Sequence, residues 1–268
     1  MKKILPVLLA FIFGFCFLKA SLAQEFNFDR ALNDYLYNYN LYRQSYNEYI
    51  TAKESYLKYQ TLNSKNEALA KTTQMLKNQD EVVKTYLTAL RLKLSATPGL
   101  SAEEQNVLFL KLDSEVGWFK QHQNSLLSAA TLEDLVDSAK KGAKQYQQTE
   151  ILTYQTLGAI LASKQMGFRE KIAEQIKALK EKIGEIRLKG DKNTTTAERW
   201  LLEAENRLTR SQEKQFEAQQ ILAKMKATDY NKIKPYNQAQ LNLEESHQYL
   251  KEANSYLKEI LGELKNAD

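Results

Sequence analysis

Cysteine is almost missing from this 268-residue chain, and the one present, Cys16, sits in an apolar run near the N-terminus. Beyond that run there is nothing to form a disulfide or a thiolate metal site, so stability has to come from buried apolar area. Proline occurs three times and glycine nine times, and neither interrupts the stretch from Phe26 to Tyr59. Neither sign of charge dominates. Lys and Arg (38) and Asp and Glu (33) are interspersed along the whole chain, which leaves no basic stripe for nucleic acid.

Histidine is scarce too, with only His122 and His247. Glu244-x-x-His247 has the spacing used by ferritin-like di-iron bundles. Such a site needs a second Glu-x-x-His and two further glutamates, yet Phe119 stands at that spacing before His122. Both histidines are therefore expected at the surface. The chain has no glycine-rich phosphate loop, no GxSxG, no HExxH and no cysteine nucleophile. Carboxylate pairs such as Glu103-Glu104 and Glu244-Glu245 read as solvated acids on polar helix faces. No catalytic residue, metal site or cofactor is expected. Trp118-Phe119 is read as a packing cluster at a helix crossing, and Trp200 as an anchor at a helix start.

What is present begins with an export signal over residues 1–23. Lys2 and Lys3 are its positive start and Ile4 to Leu18 its apolar run, and Ser21-Leu22-Ala23 predicts cleavage between Ala23 and Gln24. The apolar run is shorter than the roughly twenty residues that span a bilayer. Phe15 before Cys16 is too large for a lipidation signal. Without Lys2, Lys3 and Lys19 the net charge falls from +5 to about +2. The protein is thus expected beyond the cytoplasmic membrane: periplasmic, at the cell surface or extracellular.

The most unusual stretch follows. Phe28, Leu32, Tyr35, Tyr39, Tyr42, Tyr46, Tyr49, Lys53 and Tyr56 recur at helical 4-3 spacing, a seam built almost entirely of tyrosine. Tyrosine rings bury apolar area while their hydroxyls still need partners, which suits a half-wet groove better than a dry core. Tyr35, Tyr39, Tyr42, Tyr46, Tyr49 and Tyr56 are the candidate interaction stripe, because tyrosine is enriched at interfaces for the same reason. Packing on neighbouring helices, with hydroxyls at the edge, is the plainer alternative.

Residues 24–95 read as one long helix or a helix pair, with Leu62, Leu69, Leu76, Val83 and Leu90 continuing the seam and a register slip near Asn63. Pro98-Gly99 ends this part. Residues 96–190 hold central helices opened by the capping boxes Ser101 to Glu104 and Thr131 to Asp134. They include a long helix over 132–188, expected to bend or break at Gly158 or Gly167. Thr195 to Glu198 is expected to cap the next helix after the loop over 189–196. Residues 191–268 then read as an antiparallel helical hairpin turning at Asp229-Tyr230-Asn231, with small and large residues alternating along both arms.

The expected fold is all-α: an elongated bundle or coiled-coil rod of about six long amphipathic helices. The expected function is that of an exported, non-enzymatic interaction or scaffold protein, binding itself or another protein through coiled-coil seams and the tyrosine stripe. The alternative is a bundle that takes a glycan or small molecule in a tyrosine-lined groove. Membrane association is disfavoured by the near-neutral charge, and no membrane insertion is expected once the signal is removed.

Overall fold

In the computed structural model, which describes residues 22–190 and 193–266, the chain is all-α, with six helices packed against one another. They are α1 (Leu22–Tyr59), α2 (Leu62–Ser95), α3 (Ala102–Ser125), α4 (Leu132–Lys189), α5 (Thr195–Lys224) and α6 (Ile233–Asn266). A 3₁₀ turn, Leu126–Ser128, follows α3. Residues 1–21, most of the expected export signal including Cys16, lie outside the described residues. Among the described residues no helix is long and apolar enough to cross a membrane.

The register slip resolves into a turn between α1 and α2. Gln60 takes a left-handed φ of 49° and its N–H donates to the Tyr56 carbonyl at 2.9 Å. Thr61 then caps α2: its hydroxyl accepts from the Ser64 N–H, and the Ser64 hydroxyl accepts from the Thr61 N–H, both at 3.1 Å. The two helices run back along each other, with Lys71 bonded to Glu48 at 2.8 Å and Lys93 over the Phe28 ring at 4.6 Å.

The seam of α1 is shifted from the expected one. Its fully buried positions are Ala31, Tyr35, Ser45 and Ala52, so one column is made of small residues and the tyrosines at 39 and 46 flank it. Small side chains let two helix backbones approach closely, which explains why they take the innermost column. α2 is buried round much of its circumference, through Met75, Val82, Tyr86 and Ala89 as well as Leu76, Val83, Leu87, Leu90 and Leu94. Leu62, expected to start its seam, is 75% exposed.

At the α2–α3 turn Gly99 has φ +95°, and a Cβ there would stand 2.4 Å from the Ser163 carbonyl oxygen on α4. Both capping boxes form, Ser101 with Glu104 and Thr131 with Asp134. α4 then runs 58 residues, roughly 87 Å at 1.5 Å per residue, without the break expected at Gly158 or Gly167. Gly158 instead admits a neighbour, since a Cβ would come within 2.1 Å of Leu222 Cδ1.

Four buried apolar clusters draw on α4, which contributes Leu135 to one, Leu152 and Ile160 to a second, Ile151, Tyr154 and Ala162 to a third at the same level of the helix, and Ile172 to Ile183 to the last. The last two clusters join α4 to α5 and α6. Between α5 and α6 the paired positions fall on one helix as they rise on the other. Arg207 meets Glu252 at 3.3 Å, Ser211 meets Ser246 at 3.0 Å, and Glu217 accepts from Asn242 at 3.2 Å. Arg169 of α4 ties the three together, donating to Ser211 at 3.1 Å and Ser246 at 3.4 Å. The N-cap of α5 is Thr194 and not Thr195. The Asn193 carboxamide oxygen accepts from the Thr195 N–H at 3.0 Å, and the Thr194 hydroxyl donates to Glu198 at 2.9 Å.

Candidate functional site

The tyrosine stripe faces the chain's own helices. Tyr35 is buried, edge-on to Tyr86 of α2 at 5.3 Å and stacked beside Tyr39 at 6.3 Å. Tyr42, Tyr46 and Tyr49 follow with centroids about 6 Å apart. They lie half-buried against the cluster of Met75, Leu76, Leu126 and Leu135. Tyr56 is half-buried near the end of α1. Burial, and secondarily Tyr39, pushes the Tyr35 phenol up to about 12. Burial, with Tyr46 and Tyr39 beside it, also raises that of Tyr42. The rings thus seal seams within one chain, with five of the six still partly open to solvent.

Deeper in, the fold gathers tyrosines that the stripe did not include. Tyr86, Tyr146 and Tyr154 meet Tyr35 around a cavity of about 30 Å³ that Glu150 also lines. Tyr154 stacks on Tyr236 of α6 at 4.6 Å and donates to Glu150 at 3.4 Å, and Lys232 pairs with the same carboxylate at 3.4 Å. Desolvation raises the phenols of Tyr86, Tyr146 and Tyr236, and holds Tyr154 at about 12. A second cleft of about 60 Å³ opens on the other side of Tyr86, walled by Leu157, Ile160 and Tyr236, with Lys93 and Lys164 in its lining. Neutral phenols and aliphatic walls suit binding; groups held this far from neutrality do not transfer protons at neutral pH.

His122 is not at the surface. Its Nδ1 lies 2.7 Å from Asp80 Oδ2 and its Nε2 2.9 Å from the Ser138 carbonyl oxygen, in an interior bounded by the stacked Trp118 ring. Both nitrogens are engaged, with one proton shared between the ring and Asp80 and the other donated to Ser138, and neither is available as a base. Gly142 leaves room for the ring, since a Cβ there would lie 3.1 Å from His122 Cε1. His247 is half-buried near Phe168 at 6.2 Å, while Glu244 is exposed. Among the described residues no three His, Cys, Asp or Glu side chains come together as metal ligands.

The end of the α1–α2 pair is different in kind. None of the four apolar clusters draws a residue from the described stretch 50–68. Ala52, Ser64 and Ala68 are its buried side chains, so the two helices close on small residues there. At the turn itself Leu57 is 62% exposed, Tyr59 60% and Leu62 75%. Three large apolar side chains exposed within six positions of one turn are a denser exposure than scattered leucines. The sequence pattern assigned Leu62 inward, and only the turn at Gln60 turns it out. Comparison with protein-family models, with curated proteins and with solved structures finds no match for this chain.

Proposed function

We propose that this chain is an exported, non-enzymatic interaction protein and that the far end of its α1–α2 pair is where it meets its partner. The observation that carries this reading is the group of Leu57, Tyr59 and Leu62, exposed at an end that no apolar cluster reaches. The molecule behind that end is an elongated rod along α4, with α5 and α6 as an antiparallel hairpin at the other end. The spread of buried residues along α4 from Leu135 to Ile183 and the opposed pairing of residues 207–217 with 242–252 support that shape. The tyrosine stripe then serves as the seam that stiffens the projecting pair, because its rings are already half-covered. Export rests on the N-terminal pattern Lys2 to Ala23.

The test is retention of residues 24–268 on envelope material of the source cell. Leu57→Glu with Leu62→Glu is expected to reduce it at least tenfold, while Leu188→Glu, at a still more exposed leucine on α4, leaves it unchanged. Equal retention of both variants contradicts the reading. A second reading has its own observation: the cleft between Tyr86 and Tyr236 with Lys93 in its lining suits a small apolar molecule bearing an acid group. Calorimetry with short-chain fatty acids has to give a saturable signal that Lys93→Ala weakens.

A further inference from the structure

We propose that the end of the α1–α2 pair docks on an anionic lipid surface, with Leu57, Tyr59 and Leu62 entering the headgroup region and Lys58 and Lys65 beside the lipid phosphates. This rests on the reading that this end is the contact surface, and adds the chemistry of the partner.

Charge makes the first argument. Residues 55–66 carry Lys58 and Lys65 and no carboxylate, the nearest being Glu54 and Glu67. A chain whose charges otherwise alternate is thus locally cationic where it is also apolar. Basic residues beside exposed apolar ones are what an anionic leaflet attracts and then retains. The flanking carboxylates Glu54 and Glu67 are outnumbered there by Lys53, Lys58 and Lys65.

Residue type makes the second. Tyr59 has an apolar ring and a hydroxyl, and such rings settle at the headgroup level of bilayers. Its ring lies under the Lys58 ammonium at 5.0 Å, so the cation and the ring are presented together. Leu57 and Leu62 supply the purely apolar contact on either side of the turn.

Shape makes the third. The group sits on the turn between two helices, and neither of the clefts described above is lined by its residues. A stable protein–protein interface needs about 1,200 Å² of total buried surface, more than three side chains at a two-helix tip provide. A lipid surface accepts a convex tip without a matching groove. The turn is also held in place: the Gln60 N–H is bonded to the Tyr56 carbonyl at 2.9 Å, and Thr61 and Ser64 close a reciprocal cap at 3.1 Å. Ordering the tip therefore takes little from the binding.

The experiment is co-sedimentation of residues 24–268 with vesicles of phosphatidylcholine alone and of phosphatidylcholine mixed with phosphatidylglycerol. Binding is expected to the mixed vesicles, weakening with added salt, and to be absent with phosphatidylcholine alone. Leu57→Glu with Leu62→Glu should abolish it, and Lys58→Ala with Lys65→Ala should weaken it roughly tenfold or more. A Leu62→Trp variant reports insertion directly, through a blue shift of the emission added by the new indole when the mixed vesicles are present. Unchanged circular dichroism keeps loss of fold out of these comparisons. Binding to both vesicle types alike, or binding that survives the double glutamate variant, overturns the proposal. So does a native chain that ignores vesicles but self-associates through this tip, in which case a second copy is the partner and the contact surface stands. Failure of the tip variants to alter either vesicle binding or envelope retention overturns both readings.

Discussion

Asp80 of α2 and His122 of α3, separated by 42 positions, meet in the interior with Oδ2 and Nδ1 2.7 Å apart. Both side chains are within a few per cent of full burial, at 5% and 6% exposure. The Ser138 carbonyl takes the other ring nitrogen at 2.9 Å, so the pair joins α2, α3 and α4 in one contact. Breaking a buried pair strands a charge, and His122→Ala is expected to destabilise the fold by about 3 kcal/mol, read by urea unfolding at pH 6.

The same contact sets a pH dependence. The hydrogen bond to Asp80 is the main reason the His122 pKa is raised above 6.5, with burial opposing it. Burial raises the Asp80 pKa as well, against the pull of His122, so the pair as a whole holds its proton to higher pH than a free imidazole does. A raised folded-state pKa stabilises below the unfolded value and ceases to as pH rises through the folded one. The thermal midpoint should therefore fall as pH climbs above about 6.5, and His122→Ala should flatten that slope.

Two glycines should respond differently to the same methyl group. At Gly99 the left-handed backbone and a carbonyl 2.4 Å from the new Cβ leave no escape. Gly99→Ala is expected to lose about 2–3 kcal/mol. At Gly158 the obstacle is Leu222 Cδ1, the end of a rotatable side chain. Gly158→Ala also gains up to about 1 kcal/mol of helix propensity, so its net loss should be smaller. Leu222→Ala in the same chain should turn the Gly158→Ala effect favourable.

Alkali should unfold the protein through its tyrosines. Tyr35 and Tyr154 are held at about 12 against an ordinary 10.0, mainly by burial, so the folded state keeps protons that the unfolded chain releases. Stability is then retained below pH 10 and lost between about 10 and 12. Absorbance at alkaline pH should show late-titrating phenols, and Tyr35→Phe should raise the unfolding midpoint in that range.

Gln60 holds a left-handed φ of 49° without being glycine. Relieving that strain, Gln60→Gly is expected to stabilise by about 1 kcal/mol, seen in chemical denaturation. Vesicle binding should persist, because the turn keeps its shape.

How much of this could be read from residues alone depended on the contrast along each helix. α5 and α6 alternate small and large residues cleanly, and Ala197, Leu201, Ala204, Ala239, Leu243, Ala253 and Leu257 are all buried as that alternation implies. α2 has neighbours on several sides, so its polar-looking pattern hid Tyr86 and Ala89, which are buried. In α1 the conspicuous tyrosines drew the seam one residue away from Ala31, Ser45 and Ala52, whose small size gives no hydrophobic signal.

The candidate sites were less legible still. No spacing rule links Asp80 to His122, because the two belong to different helices and meet only after packing. The tip was hidden by the turn at Gln60, where neither glycine nor proline marks the reversal. Thr61 to Ser64 carries the capping signal that would have placed it, and Leu62 then falls outside the seam. The tyrosines of the stripe were easy to find, but their partners Met75, Leu126 and Leu135 come from three separate segments.

The central claim is that contact is made at the α1–α2 end and not elsewhere on the molecule. Photo-crosslinking from a reactive amino acid placed in turn at Leu62, Leu188 and Tyr230, in cells making the full chain, tests this directly. All three positions are highly exposed, at 75%, 86% and 104%. Exposure alone would therefore let each of them react. The account predicts adducts to envelope components, lipid included, from position 62 alone. Adducts from 188 or 230 with none from 62 would contradict it.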